Sequence, residues 1–352
     1  MIITKTPYRV SFFGGGSDYP DWFHEHGGEV LSTTIDCYSY VTCRYLPGFY
    51  KDKYRVAYRR VENVSNIEEI EHPVVRASLK YLGIDEGLSI HHDGDLPACS
   101  GMGSSSTFTV GLLAALYAYK GVYCSPKELA DRAIYIEQTV LQECVGIQDQ
   151  IASAYGGFNY IKINQNGTYH VRPVILSTEK LTALQSNLML VYTGQTRFAS
   201  NIASVQVGNF VNKQRQLMCI QQLVKEANNL LVSVTGNLDD FGRLLDESWR
   251  LKSDLAPNVS TSIVDEIYVA AKRFGALGGK LLGAGGGGFV LLYVPQSAQQ
   301  KVRNVFSNYL IIRPRFTSSR AEVIYCTRQN LINDLGDFVT QSVADVSSAY
   351  LV

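Results

Sequence analysis

Residues 97–107 read PACSGMGSSST and run directly into the apolar stretch FTVGLLAALYAYKG, residues 108–121. A glycine- and serine-rich loop that opens a helix leaves unpaired backbone N–H groups at the positive end of the helix dipole, a place that favours an anion. Gly101 and Gly103 let the backbone approach a phosphate closely, and Ser104, Ser105, Ser106 and Thr107 supply hydroxyls as caps or metal ligands. A plain serine cap after a flexible turn reads equally well from this stretch alone. The GxxxxGK[ST] pattern is absent here and elsewhere, so the loop is not that of a P-loop NTPase.

Around this loop the chain alternates between strand-like and helix-like patterns. Ile2–Tyr8, Val30–Arg44 and Leu88–His92 read as strands, Pro73–Leu82, Ser104–Tyr119 and Pro126–Glu143 as helices. Ser125, Pro126 and Glu128 form a capping-box start for the third helix. Farther on, Phe158–Ile163 and Leu188–Tyr192 are expected strands, Asn164–Gly167 a hairpin turn, and Asn201–Val234, Leu238–Lys252 and Ser262–Phe274 helices. The glycine block Gly275–Gly288 feeds the strand Phe289–Val294. The mixture predicts an α+β fold in two lobes, residues 1–175 and 176–352, with the division near 160–190. The stretch from Gln329 onward carries no pattern.

The helix Pro126–Glu143 holds an anomaly. At 100° per residue Glu137 falls among Ala130, Ala133, Ile134, Val140, Leu141 and Cys144, in the middle of the apolar stripe. A carboxylate placed there should be protonated, ion-paired or bound to a cation, Mg²⁺ being one candidate. Asp149 follows in GIQDQIASAYGG, and Arg9 and Asp18 stand in TPYRVSFFGGGSDYP. Singly, each of these three reads as readily as a structural residue.

The bulk numbers exclude several classes. The 352 residues carry 32 basic and 32 acidic side chains, so no net charge points to nucleic acid or an anionic membrane. No run approaches the roughly 18 apolar residues of a spanning helix, and MIITKTPYRV lacks a signal-peptide core, which points to the cytoplasm. Seven scattered cysteines without a CxxC fit reduced thiols, and no metal-ligand spacing of histidines appears. The GAGGGG run at 283–288 formally contains GxGxxG, but a strand follows it instead of a helix, which disfavours a dinucleotide fold.

In combination the motifs resemble the GHMP kinase superfamily: TPYRVSFFGGGSDYP, then PACSGMGSSST, then KLLGAGGGGF, in that family's order. The resemblance implies a ribosomal protein S5 domain 2-like N-terminal lobe and a ferredoxin-like C-terminal lobe. It implies ATP and Mg²⁺ as cofactors, and a sugar or sugar phosphate as the small-molecule partner, with neither nucleic acid nor membrane; a homodimer is compatible with it. Gly101, Met102, Gly103, Ser104, Ser105 and Ser106 would hold the ATP phosphates. Glu137 and Ser105 would hold Mg²⁺, with Ser104 as the alternative serine. Asp149 would be the catalytic base, with Arg9 beside the accepting hydroxyl. Gly15, Gly16, Ser17 and Asp18 would bind the sugar, and Gly283, Gly285, Gly286 and Gly287 would form the C-terminal glycine loop.

Gly15-Gly16 stands where galactokinases carry Glu-His, which argues against galactose. The form GGGSDYP, with HGGEVLSTTIDCYSYV, VYTGQTRFAS and ESWRLKSDLAPNVS, is similar to the heptose 7-phosphate kinase branch and its fucokinase-like relatives. That branch implies transfer to the anomeric C1 hydroxyl of a heptose 7-phosphate, with Thr193, Thr196, Arg197 and Lys252 as candidates for its phosphate. A kinase for an unphosphorylated sugar such as L-fucose and a catalytically silent sugar and ATP sensor are the competing readings.

Overall fold

Two antiparallel-rich sheets organise the chain in this computed structural model, which describes residues 1–196, 199–257 and 259–327, with only the backbone for 199–201. The first sheet has eight strands. Along its main path they run Glu322–Cys326, Ile2–Phe13, Gly28–Tyr45, Leu88–Gly94, Tyr54–Ala57 and Val61–Val64. The long strand Gly28–Tyr45 divides its free edge: Ser39–Tyr45 pairs with Leu88–Gly94, while Gly28–Thr33 pairs with Phe158–Ile163. That last strand and Tyr169–Pro173 form the expected hairpin across Asn164–Gly167. Among the described residues, only the pairing of Tyr54–Ala57 with Leu88–His91 is parallel.

The helix Ser104–Tyr119 lies against this sheet and is buried without interruption from Ser106 to Tyr117. Its apolar character on every side suits a helix covered on every side. It packs on both long strands, and the Thr4 hydroxyl donates to the Gly111 carbonyl at 3.0 Å. Its N-terminus is thereby aimed at the middle of the molecule.

The second sheet orders Ile311–Ile312, Leu188–Tyr192, Phe289–Tyr293 and Gly278–Leu281, all antiparallel. Between the sheets sits one shared core. Tyr8, Val10, Phe12, Phe13 and Leu31 from the first meet Leu190, Phe289 and Leu291 from the second, together with Phe241 and Leu245 of the helix Leu238–Ser253. Phe12 and Phe241 meet edge to face at 5.3 Å. Each such ring contributes about 1.5–3 kcal/mol through burial. The division at residue 175 is therefore not a clean cut. The strand Glu322–Cys326 returns from the second half to pair with Ile2–Lys5.

Two expected helices differ. The helix expected over Pro126–Glu143 is α-helical only to Ile134 and continues as a π-helical segment, Tyr135–Val140. The wider π turn changes the angular step, so Val140, expected in the apolar stripe, is exposed, while Ile136 is buried beside Glu137. The capping box at its start forms as expected, Ser125 accepting from the Glu128 N–H and the Glu128 carboxylate accepting from the Ser125 N–H. The helix expected over Asn201–Val234 breaks into Ala199–Asn209, a 3-10 turn Phe210–Lys213, and Gln214–Val232. Gly208 and Asn209 are weak helix formers, and the break swings Phe210 into a small cluster with Trp22, Leu217, Ile220 and Leu255. Short strands at Tyr54–Ala57 and Val61–Val64 and the helix Gln296–Val305 were not expected.

Candidate active site

The phosphate-type loop is built by backbone contact between the two halves of the chain. Gly101 has φ +80°, and a methyl group on it would stand 2.4 Å from the Leu282 carbonyl oxygen; one on Gly283 would stand 2.6 Å from the Gly101 Cα. Only residues without side chains allow this approach. The Phe289 N–H donates to the Ser100 carbonyl at 3.1 Å, which fixes the C-terminal glycine loop along the first. Gly285 packs on Val259 and Gly287 on Gln195, and the Gly286 N–H donates to the Val259 carbonyl. Buried Met102 anchors the loop from beneath, and the Arg9 N–H donates to its carbonyl at 3.3 Å.

Gly103 caps the helix Ser104–Tyr119 in the left-handed region, and no side chain caps the first N–H groups. These amides at a dipole's positive end make the helix start a phosphate acceptor. Of the three serines, Ser104 accepts from the Cys99 N–H at 3.2 Å, Ser105 is exposed, and Ser106 is buried and donates to Glu137 Oε2 at 2.9 Å. The serine in contact with Glu137 is thus Ser106, one position beyond Ser105. At 100° per residue, Ser106 is the hydroxyl that turns inward.

Glu137 is fully buried, and its hydrogen-bonding surroundings are neutral: Ser106, and Gln150 Nε2 at 2.5 Å, both on Oε2, with the Thr109 hydroxyl close enough to favour the charged form as well. Oε1 is buried without a hydrogen-bond partner, as is Gln150 Oε1. An internal ion pair is therefore not what accommodates this carboxylate. Burial pushes it up from 4.5 to about 7, and its hydrogen-bond donors keep it from rising further. An orphaned carboxylate oxygen beside a helix-start hydroxyl suits Mg²⁺, which takes one or two carboxylates together with phosphate oxygens. Among the described residues no group of three or more His, Cys, Asp or Glu forms an all-protein cation cage, so phosphate oxygens would have to complete the set.

Asp149 lies in the first turn of the helix Gln148–Tyr155, close to Gly103. Arg9, 3% exposed, grips it with both prongs: Nε to Oδ1 and Nη2 to Oδ2, each at 2.6 Å. The third arm, Nη1, donates to the Gly101 carbonyl at 2.7 Å. One guanidinium thus ties the carboxylate to the loop, a geometry that a lysine could not supply.

The glycine turn before Asp18 completes this corner. Asp18 is buried, accepting from the Gly16 N–H at 3.0 Å and from Gln148 Nε2 at 2.9 Å, while the Ser11 hydroxyl donates to Gln148 Oε1. Burial, and then the charge of Asp149, raises its pKa above the usual carboxylate value. Gly15 looks toward Gln148 and Lys252, each 3.8 Å from where a side chain would begin. Ser17 is turned away; its hydroxyl is spent on the Gly14 and Glu29 carbonyls.

Lys252 is buried, donates to the Gly283 carbonyl, and is pushed down to about 8 by burial and by Arg9, against the pull of Asp18 and Asp149. Lys280 joins it, 2% exposed, with Nζ donating to the Phe12 carbonyl at 3.0 Å. Burial, then Lys252, holds its ammonium well below the usual lysine range. Three basic side chains and two carboxylates therefore share one corner, and an anionic reactant there would favour the charged forms of the two lysines. Thr193 is elsewhere engaged: its hydroxyl accepts from the Gly288 and Gln195 N–H groups, supporting the glycine loop. Thr196 is exposed, and Arg197 lies outside the described residues.

Lys280, Gln148, Gln150 and the inward role of Ser106 are absent from the sequence reading. Lys280 did leave a signal, a lone charge between Gly-Gly and Leu-Leu in a strand that has no polar face.

Comparison with known proteins agrees with this geometry. The model of the GHMP kinases N terminal domain matches residues 69–157, and that of the GHMP kinases C terminal domain matches 223–312, together just over half of the chain. D-glycero-alpha-D-manno-heptose 7-phosphate kinase of Campylobacter jejuni is 27% identical over 83% of this chain and 89% of its own. The L-fucokinase/L-fucose-1-P guanylyltransferase of Bacteroides fragilis is 24% identical over 90% of this chain, which spans 37% of that longer protein. A D-glycero-D-manno-heptose 1-phosphate kinase from Bacteroides thetaiotaomicron shares the fold, with a TM-score of 0.76 and 23% identity over 93% of this chain and all of that one. With both family domains matched and the glycine loops of the two halves meeting over the helix start, the chain belongs to the GHMP kinase superfamily and is an ATP-dependent phosphotransferase.

Proposed function

We propose that this kinase phosphorylates the anomeric C1 hydroxyl of D-glycero-D-manno-heptose 7-phosphate, yielding the 1,7-bisphosphate and ADP in the cytoplasm. The observation that carries the chemistry is the bidentate Arg9–Asp149 pair held under Gly103 at the helix start. The heptose reading draws on the name of the Campylobacter jejuni relative and on Lys252 standing beside Asp18 and Gly15.

In this scheme the amides of Gly101, Met102, Gly103, Ser104, Ser105 and Ser106 receive the β- and γ-phosphates of ATP. Glu137 with Ser106 or Ser105 would hold Mg²⁺, which supplies positive charge to offset that of the phosphates when bound. Asp18 and the Gly15–Gly16 backbone position the sugar. As the C1 oxygen bonds to the γ-phosphorus and the bond to the ADP oxygen breaks, Asp149 accepts the hydroxyl proton. Arg9 orients Asp149 and offsets the charge spread over the transferring group. Lys252, together with Arg197, meets the anionic part of the sugar phosphate.

The second reading, a kinase for free L-fucose, is favoured by one detail: Lys252 already donates to the Gly283 carbonyl and is not free to reach a distant phosphate. An ADP-release screen over heptose 7-phosphate, mannose, fucose and galactose separates the two. Heptose 7-phosphate is expected to be turned over best, with Lys252→Ala and Arg197→Ala each raising its KM about tenfold. Preference for fucose, or an unchanged KM in both variants, would exclude the sugar-phosphate assignment. Absence of turnover on every sugar would favour the sensor.

A further inference from the structure

One buried side chain beside Asp149 has no part in the transfer described above. Gln148 opens the helix Gln148–Tyr155 and is 9% exposed. Its carbonyl end, Oε1, accepts from the Ser11 hydroxyl at 2.6 Å, and its amide nitrogen, Nε2, donates to Asp18 Oδ2 at 2.9 Å. The carboxylate accepts and the hydroxyl donates, so the two partners together fix which end of the amide carries the N–H groups.

Asp18 does not depend on that bond alone. The Gly16 N–H reaches its Oδ1, and the Ile147 N–H donates to its main-chain carbonyl at 3.0 Å. Gly146 leaves the carboxylate its room, since a methyl group there would stand 1.9 Å from Oδ2. An amide nitrogen carries two N–H groups, and among the described residues Nε2 meets only one acceptor. That nitrogen borders the space where a Gly15 side chain would begin, 3.8 Å away, and Lys252 Nζ borders it at the same distance. Gly15, unlike Gly14 and Gly16, is outside the left-handed region, so its backbone conformation does not demand glycine. The missing side chain leaves room beside donors and next to an acceptor, which are the surroundings of a hydroxyl that both receives and gives a hydrogen bond.

We propose that Gln148 is a sugar-binding residue that sets specificity: its second N–H donates to the oxygen of one substrate hydroxyl, and that hydroxyl donates to Asp18. This rests on the reading of Asp18 and Gly15–Gly16 as the sugar pocket. Ser11 keeps the amide turned with its nitrogen toward the sugar. A substrate without this hydroxyl leaves buried polar groups unmet, and a site built on such pairing rejects the analogue strongly.

The test measures kcat and KM by ADP release for heptose 7-phosphate, or for fucose if the screen selects it, and for the monodeoxy analogues of that sugar. Gln148→Met keeps the length and removes the N–H groups, so the KM for the parent sugar should rise about tenfold or more, with the KM for ATP unchanged. The penalty should shrink below about threefold for the one analogue that lacks the paired hydroxyl and persist for the others. Gly15→Ala, whose methyl makes only ordinary contacts at 3.8 Å, should keep the thermal midpoint of wild type and raise the sugar KM about tenfold. An equal penalty for every analogue would make Gln148 a structural support and overturn the proposal, as would an unchanged sugar KM in either variant. Absence of wild-type turnover on any sugar would instead overturn the sugar-kinase reading, and the proposal with it.

Discussion

Glu137 and Asp149 stand twelve residues apart and approach the same loop, yet their surroundings are opposite in kind. Glu137 is sealed from solvent among neutral donors that crowd one oxygen and leave the other unmet. Asp149 keeps a side chain 24% exposed and has a guanidinium on both oxygens. The first carboxylate is under-served by the protein and is completed by a proton or by a cation. The second is already paired, and its exposure leaves it accessible to a substrate hydroxyl. Two acids of similar strength in water thus acquire different environments from their neighbours alone, which is the basis on which the metal-holding and proton-accepting roles are proposed for them.

The comparison breaks most sharply at Asp149. Asp149→Asn keeps the shape but cannot take a proton, so turnover should fall about a thousandfold while Mg·ATP still binds. Single-turnover ADP release beside a binding titration measures this, and a variant within tenfold of wild type would remove Asp149 from the chemistry.

Next in size is a pH effect belonging to Glu137 alone. Its folded value, about 7, lies above its ordinary 4.5, so the folded chain holds a proton that the unfolded chain releases between those values. Without metal, the full stability contribution is present below pH 4.5, declines through that window, and is lost above about pH 7. The loss amounts to about 3 kcal/mol. Glu137→Gln should abolish this slope and raise the metal-free stability at neutral pH, while increasing the Mg²⁺ requirement for turnover. Urea midpoints for both proteins on either side of the window give the answer, and parallel pH slopes would contradict the buried-acid picture.

The smallest effect sharpens which hydroxyl belongs to Glu137. Ser106→Ala removes a donor from Oε2 and should cost about 1 kcal/mol, whereas Ser105→Ala, at an exposed position, should stay within about 0.5 kcal/mol. The Mg²⁺ half-saturation for turnover should follow the same order. A larger shift for Ser105→Ala would mean that the metal takes the exposed hydroxyl and not the one bonded to Glu137 in this structure.

The same pair shows what a sequence discloses. Glu137 stood out because a charge inside an apolar stripe breaks a periodic pattern, and periodicity survives without tertiary structure. Asp149 broke no pattern and gained meaning only from the motifs around it. The π segment that carries Glu137 was invisible, since its wider turn is set by packing and not by residue type. Ser106 could not be separated from its two serine neighbours, because the choice depends on which way the helix faces. The long strands and the buried helix were legible from their apolar runs. Tyr54–Ala57 and Val61–Val64 were not, being four residues each and interrupted by charge. The strand Glu322–Cys326, exposed along its length, owes its place to hydrogen bonds with Ile2–Lys5 and has no apolar face to announce it.

The contact of Gly101 with Leu282 and Gly283 has a mechanical consequence. Where side chains separate two elements, rotamer changes absorb small displacements; here backbone meets backbone and nothing is available to flex. Since the Gly101 carbonyl also receives Arg9, any sliding of one glycine loop along the other would be transmitted rigidly to Arg9 and through it to Asp149. The alignment of Asp149, the proposed proton acceptor, is in this sense gauged against the far half of the chain.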